Sequence, residues 1–175
     1  LFGAYFKAQG QGRKPTVILL HGFPGHERNL DTAHALRRAG LNVLIFHYRG
    51  SWGSEGVFSF SNMLEDTRTA VDHLRGSSGE LLVESENIIP IGHSMGGWAA
   101  LMCASADERI PAVGSLAGFN LGLIPMLISE NEDAREMILG TFSELTRPMN
   151  SLGPGELLNE IMDAGGGWNI LERTS

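Results

Sequence analysis

The stretch Ile88-Ile89-Pro90-Ile91-Gly92-His93-Ser94-Met95-Gly96-Gly97 decides the fold. Its first four residues form an apolar run of the kind found in a buried strand. The glycines at 92 and 96 then bracket a serine at the spacing G-x-S-x-G. A small-residue helix follows, from Gly96 to Ala104. Strand, sharp turn and helix in that order expose one serine at the end of a sheet. Gly92 and Gly96 supply positions with no β-carbon where the turn is crowded.

Working outward, the same grammar repeats. Thr16-Val17-Ile18-Leu19-Leu20 and Val43-Leu44-Ile45-Phe46 are continuous apolar runs, as expected of strands buried on both faces. The first ends in the loop His21-Gly22-Phe23-Pro24-Gly25, the second in the loop Tyr48 to Gly56. Phe2 to Lys7 reads as a short edge strand and Ala112 to Leu116 as a further strand. A helix is expected to run to Arg38, capped by Asn29 or Asp31 and closed by Gly40. Another is expected from Asn62 to Arg75, with Asn62 and Glu65 as a capping pair. Alternation of this kind predicts an α/β fold, a parallel sheet flanked by helices.

After Gly118 the pattern changes to helices without strands, over Ile124–Ile128, Asp133–Leu145 and Gly155–Met162. This predicts a division into a core over 1–118 and a helical cap over 119–175, lying across the sheet. Gly165-Gly166-Gly167 breaks the chain, and Trp168 to Ser175 reads as a tail.

Composition narrows the function classes. The 175 residues, 42% of them hydrophobic and 19% charged, describe a globular chain with a real core. A net charge of −7 argues against nucleic acid or an anionic membrane as the main partner. The single Cys103 excludes an internal disulfide and fits a reducing, cytoplasmic setting. It sits among apolar neighbours and reads as packing. No apolar stretch approaches the ~20 residues of a membrane span. No dinucleotide or P-loop glycine pattern is present, and neither metal nor organic cofactor is implied.

A serine hydroxyl needs a base to become a nucleophile. The start of the following helix aims the Met95 N–H at the site, and a second N–H must come from another loop. The His21–Gly25 loop supplies the candidate, Phe23. With these residues in view, the chain resembles the α/β-hydrolase fold, and within it the prolyl-oligopeptidase-like serine hydrolases and related esterases. The resemblance rests on His21-Gly22-Phe23-Pro24-Gly25, on Tyr48-Arg49-Gly50-Ser51-Trp52-Gly53-Ser54 and on Gly92 to Gly97, and covers residues 14 to 118. It implies that Ser94 is the nucleophile and that Phe23 and Met95 form the oxyanion hole. It implies a small-molecule ester, amide or peptide substrate. Cap residues Met126, Phe142 and Met149, with Leu127 and Leu145, are candidates to line an apolar pocket or merely to pack the cap.

One element of the pattern is missing. In this fold the triad runs serine, acid, histidine along the chain. All six histidines (His21, His26, His34, His47, His73 and His93) precede Ser94. His93 adjoins the serine and should point away, and His21 reads as ordering its loop. Asp107, Glu108, Asp133, Asp163 and Glu172 follow Ser94, but each reads as a solvated charge. Three explanations stand: an N-terminal piece of a longer hydrolase, a partner polypeptide that completes the sheet as a complementary C-terminal fragment, or a shortened inactive relative. A non-catalytic binding protein on the same fold is the rival from another class, and a homo-oligomer is left open.

Overall fold

The computed structural model describes residues 1–26 and 29–173. Five strands form one sheet in the order β1-β3-β2-β4-β5. They are β1 (Phe2–Phe6), β2 (Lys14–Leu20), β3 (Asn42–His47), β4 (Val83–His93) and β5 (Gly114–Leu116). The last four are parallel, and β1 runs antiparallel along β3, with Phe2 opposite His47. The expected parallel sheet is therefore mixed at one edge.

Both faces of the central strands are covered, as their unbroken apolar runs require. Val17 and Leu19 of β2 and Val43 of β3 pack against helix α1 (Leu30–Arg38) through Ala33. The alternate residues Ile18 and Leu20 face the other way, into the main core. That core is built on helices α2 (Phe60–Gly76) and α4 (Met95–Ala106). Helix α4 is apolar nearly all round and is buried accordingly. A single-turn helix, α3 (Ser78–Leu81), leads into β4.

The helix starts differ from the sequence reading. Asn29 precedes α1, yet its side chain makes no capping bond. Helix α2 begins two residues before Asn62 and is capped by Ser59, whose Oγ accepts from the Asn62 N–H at 3.1 Å. Burial of Phe60 and Met63 draws the helix back to that point. Glu65, expected to complete a capping pair with Asn62, pairs instead with Arg49 at 3.0 Å.

Beyond β5 come α5 (Ile124–Glu130), α6 (Ala134–Thr146) and α7 (Pro154–Ala164), as the sequence implied. They share the main core with α2 and α4 through Ile138, Phe142, Leu157, Leu158 and Ile161. Long-range bonds fasten the segment down. The Phe60 N–H donates to Glu160 at 2.9 Å, which places a carboxylate at the start of α2. The Phe58 N–H donates to the Asn150 carbonyl at 2.8 Å. The Trp98 indole donates to the Trp168 carbonyl at 3.0 Å. Trp168, expected in a tail, stacks edge-on against Trp98, with ring centroids 5.4 Å apart. The last two residues of that tail lie outside the described residues.

The loop after β3 is held by a nearly buried carboxylate. Asp66 of α2 accepts from the Arg49 backbone N–H at 2.8 Å and from its Nε at 2.7 Å. Asp66 is 2% exposed and Arg49 reaches solvent. Removing the acid leaves the Arg49 backbone N–H without its acceptor and the guanidinium with only its more exposed partners, Glu65 and Asn62. Asp66→Ala is expected to lower stability by about 2 kcal/mol in urea denaturation, with most of the loss recovered by Asp66→Glu only if the loop can shift.

Candidate active site

Ser94 stands between β4 and α4 with φ 53° and ψ −122°, a backbone conformation that side chains disfavour. The turn holds because its surroundings leave no alternative. The Ser94 N–H donates to the Leu116 carbonyl at 2.9 Å, and its own carbonyl accepts from Gly97 at 3.0 Å and Trp98 at 3.2 Å. The flanking glycines are needed for contact rather than for freedom. A methyl on Gly96 would overlap the Leu20 carbonyl and lie 2.6 Å from the His21 oxygen. A methyl on Gly92 would lie 2.6 Å from the Gly97 nitrogen. Helix α4 thus sits with its backbone directly on the end of β2.

That contact brings the His21–Gly25 loop beside Ser94. His21 is buried, and its Nδ1 lies 2.8 Å from the Gly22 carbonyl, to which it donates. Its ring packs on Tyr48 and His47 at centroid distances of 4.4 and 5.2 Å. Gly25 has φ +89° and leaves room for the His21 ring, where a β-carbon would collide. His21 therefore shapes this loop, as the sequence suggested. His93 is exposed.

A cavity of about 350 Å³ opens over the serine. Phe23, Ser94 and Met95, the three residues singled out from the sequence, all line it. Phe142 lines it too, as do Leu127 and Leu145. The other two candidates do not. Met126 is 53% exposed on α5, one residue off the inward face, and Met149 packs into the core beyond α6. The sequence reading missed Phe60 and Phe119, which also form the wall. Phe60 holds Phe23 edge-on at 5.8 Å and Phe142 at 5.6 Å. The signal for Phe60 was not local, since its ring meets Phe23 and Phe142 from other elements of the chain.

Among the described residues no histidine or carboxylate lines this cavity. Asp107 lies at the far end of α4 from Ser94. It is bound by Arg75 and by Arg109, whose Nε donates at 2.9 Å. Glu108, Asp133, Asp163 and Glu172 are exposed. Cys103 borders a separate, charged cavity, and burial with the nearby Asp107 charge pushes its thiol up to about 11. It is not an activated nucleophile. No described group of three or more His, Cys, Asp or Glu is placed to hold a metal. No described helix is long and apolar enough to cross a membrane.

The sequence pattern of the alpha/beta hydrolase family matches residues 17–166. The chain belongs to that family. It is 35% identical over 113 residues to an uncharacterised protein of Mycobacterium tuberculosis, covering 64% of this chain and 38% of that protein. Two solved structures share the fold. One is the alpha/beta hydrolase GrgF from Penicillium sp. sh18, with TM-score 0.68, 21% identity and coverage of 97% of this chain and 69% of that one. The other is Est1E from Butyrivibrio proteoclasticus with bound ferulic acid, with TM-score 0.63, 22% identity and coverage of 74% and 53%. The chain spans about half the length, or less, of the curated relatives it matches.

Two tests follow from this geometry. Ser94→Gly removes the β-carbon from a glycine-type conformation and is expected to raise stability by about 1 kcal/mol net of added chain entropy, while Ser94→Ala retains the strain. Equal stability of the two variants in urea would contradict a strained turn. The Asp107 carboxyl is held well below the usual carboxylate range by its bonds from Arg109 and Arg75. The folded state then takes up that proton less readily than the unfolded chain. Its contribution, about 1 kcal/mol once screened by solvent, is present at neutral pH, begins to fade as pH falls below the unfolded carboxylate value of ~3.9, and is lost only as pH reaches the lowered folded value. Melting curves of the parent and Asp107→Asn should differ at pH 7, and the gap should start to narrow only below about pH 4 and keep narrowing as the pH is lowered further.

Proposed function

We propose that this chain carries the nucleophile and oxyanion hole of a serine hydrolase that cleaves carboxylic esters, with amides and peptides as secondary substrates. The observation that carries the reading is Ser94 held at a positive φ on the β4–α4 turn, opening into a cavity it shares with Phe23 and Met95. Ser94 Oγ attacks the ester carbonyl carbon and gives up its proton to a base. The oxyanion is received by the Met95 and Phe23 N–H groups, each worth about 3–4 kcal/mol of transition-state stabilisation. The alcohol leaves with a proton returned by that base, and water then releases the acid.

The base and its orienting acid come from sequence outside these 175 residues. The open edge of β5 is where that sequence joins. Strand β5 pairs with β4 on one side, and around it Leu116 and Phe119 are 56% and 52% exposed. A complementary segment there would extend the sheet and cover this apolar strip. Residues 119–175 serve as the cap over the serine.

A second reading, a binding protein on the same fold, is favoured by the absence of a histidine among the described residues lining the cavity. A fluorophosphonate separates the two. Attack by Ser94 forms the O–P bond, expels fluoride and passes the hydroxyl proton to the base. Intact-mass measurement on the protein with its complementary sequence is expected to show one adduct, lost in Ser94→Ala. No adduct under those conditions favours the binding protein.

A further inference from the structure

The roof of the cavity is one face of α6. Met137, Ile138, Thr141, Phe142 and Leu145 fall at the spacing of adjacent helical turns and all line the cavity, with Ile138 and Phe142 buried and Met137 and Thr141 at the exposed rim. Helix α5 adds Ile124 and Leu127. None of these side chains is charged. Apart from Ser94, the one polar side chain among the described residues of the lining is Thr141, and its hydroxyl is committed. It donates to the Met137 carbonyl at 2.9 Å, which leaves lone pairs but no proton for a ligand.

We infer that this cavity takes a neutral, uncharged acyl group of medium length. The inference rests on the hydrolase reading for its orientation, with the carbonyl at Ser94 and the chain under α6. The volume of about 350 Å³ sits at the small end of ligand pockets. At roughly 30 Å³ for each water-sized group, it holds on the order of ten non-hydrogen atoms. An acyl chain of about eight carbons fills it. A charge at the far end of such a chain meets no counter-charge and no side-chain donor, so burying it there is unfavourable. The contrast lies within the same molecule. The cavity between α2 and α4 is lined by Arg68, Arg109, Asp72 and Asp107, and suits polar ligands.

Thr141 is exposed at the rim, which makes it the position where selectivity can be changed without disturbing the core. The test uses Ser94→Ala protein, so that binding is read without chemistry. Methyl esters from butanoate to dodecanoate are titrated by calorimetry below their micelle concentrations. Affinity is expected to rise about fourfold per methylene and to level off near eight to ten acyl carbons. Monomethyl suberate, which carries a carboxylate at its far end, is expected to bind at least tenfold more weakly than methyl octanoate. Adding Thr141→Lys should narrow that ratio by at least threefold. A flat chain-length series, equal affinity for the suberate ester, or a ratio untouched by Thr141→Lys would each overturn the inference. The hydrolase reading fails separately, through the fluorophosphonate experiment. Chain-length-dependent binding without labelling would leave the ligand class standing and remove the chemistry.

Discussion

The contact between the start of α4 and the end of β2 is the constraint on which the site depends. Gly96 lies against the Leu20 and His21 carbonyls with no space for a side chain. Any larger residue would push the helix off the sheet. With the helix in place, the His21–Gly25 loop and the Ser94 turn share one corner, and Phe23 and Met95 line a common space with the serine. The strain at Ser94 is supported from both sides, by the Leu116 carbonyl of β5 and by the first amides of α4. The fold thus holds Ser94 in place through backbone groups, which leaves the side chains around it free to define a pocket.

Those side chains come from distant parts of the chain. Phe23 belongs to the β2 loop, Phe60 to α2 and Phe142 to α6, and their rings touch one another at centroid distances of 5.6 to 6.1 Å. This aromatic contact joins the helical segment to the sheet core, so the wall of the cavity is also part of the hydrophobic core. The same fusion is seen where Glu160 meets the start of α2 and where Phe58 pairs beside Ser151.

The strands and the serine turn were legible because their signals are local. Apolar runs of five or so residues mark the strands at Thr16, Val43 and Ile88, and glycine spacing marks the turn. The pairing of Phe23 with Met95 followed from the resemblance to a known fold, and both do line the cavity. What escaped depended on tertiary partners. Ser59, not Asn62, caps α2 because core burial of Phe60 sets where that helix begins. Trp168 looked like tail because nothing near it in sequence announces Trp98. Met126 and Leu127 are equally apolar, and only the rotation of about 100° between adjacent helical residues decides that Leu127 faces the cavity.

The bond from Phe60 to Glu160 spans 100 positions of sequence. A ribosome working at ~5–20 residues per second needs roughly 5–20 s to cover that distance. Until it does, the first turn of α2 lacks its carboxylate and the Phe23–Phe60 rings have no roof. The chamber over Ser94 therefore closes only after the chain has passed residue 160. Contacts of such long range also slow the search for the native topology, because their loop-closure entropy precedes any reward. For this chain, the elbow can form early, but a sheltered serine exists only after α6 and α7 have been made.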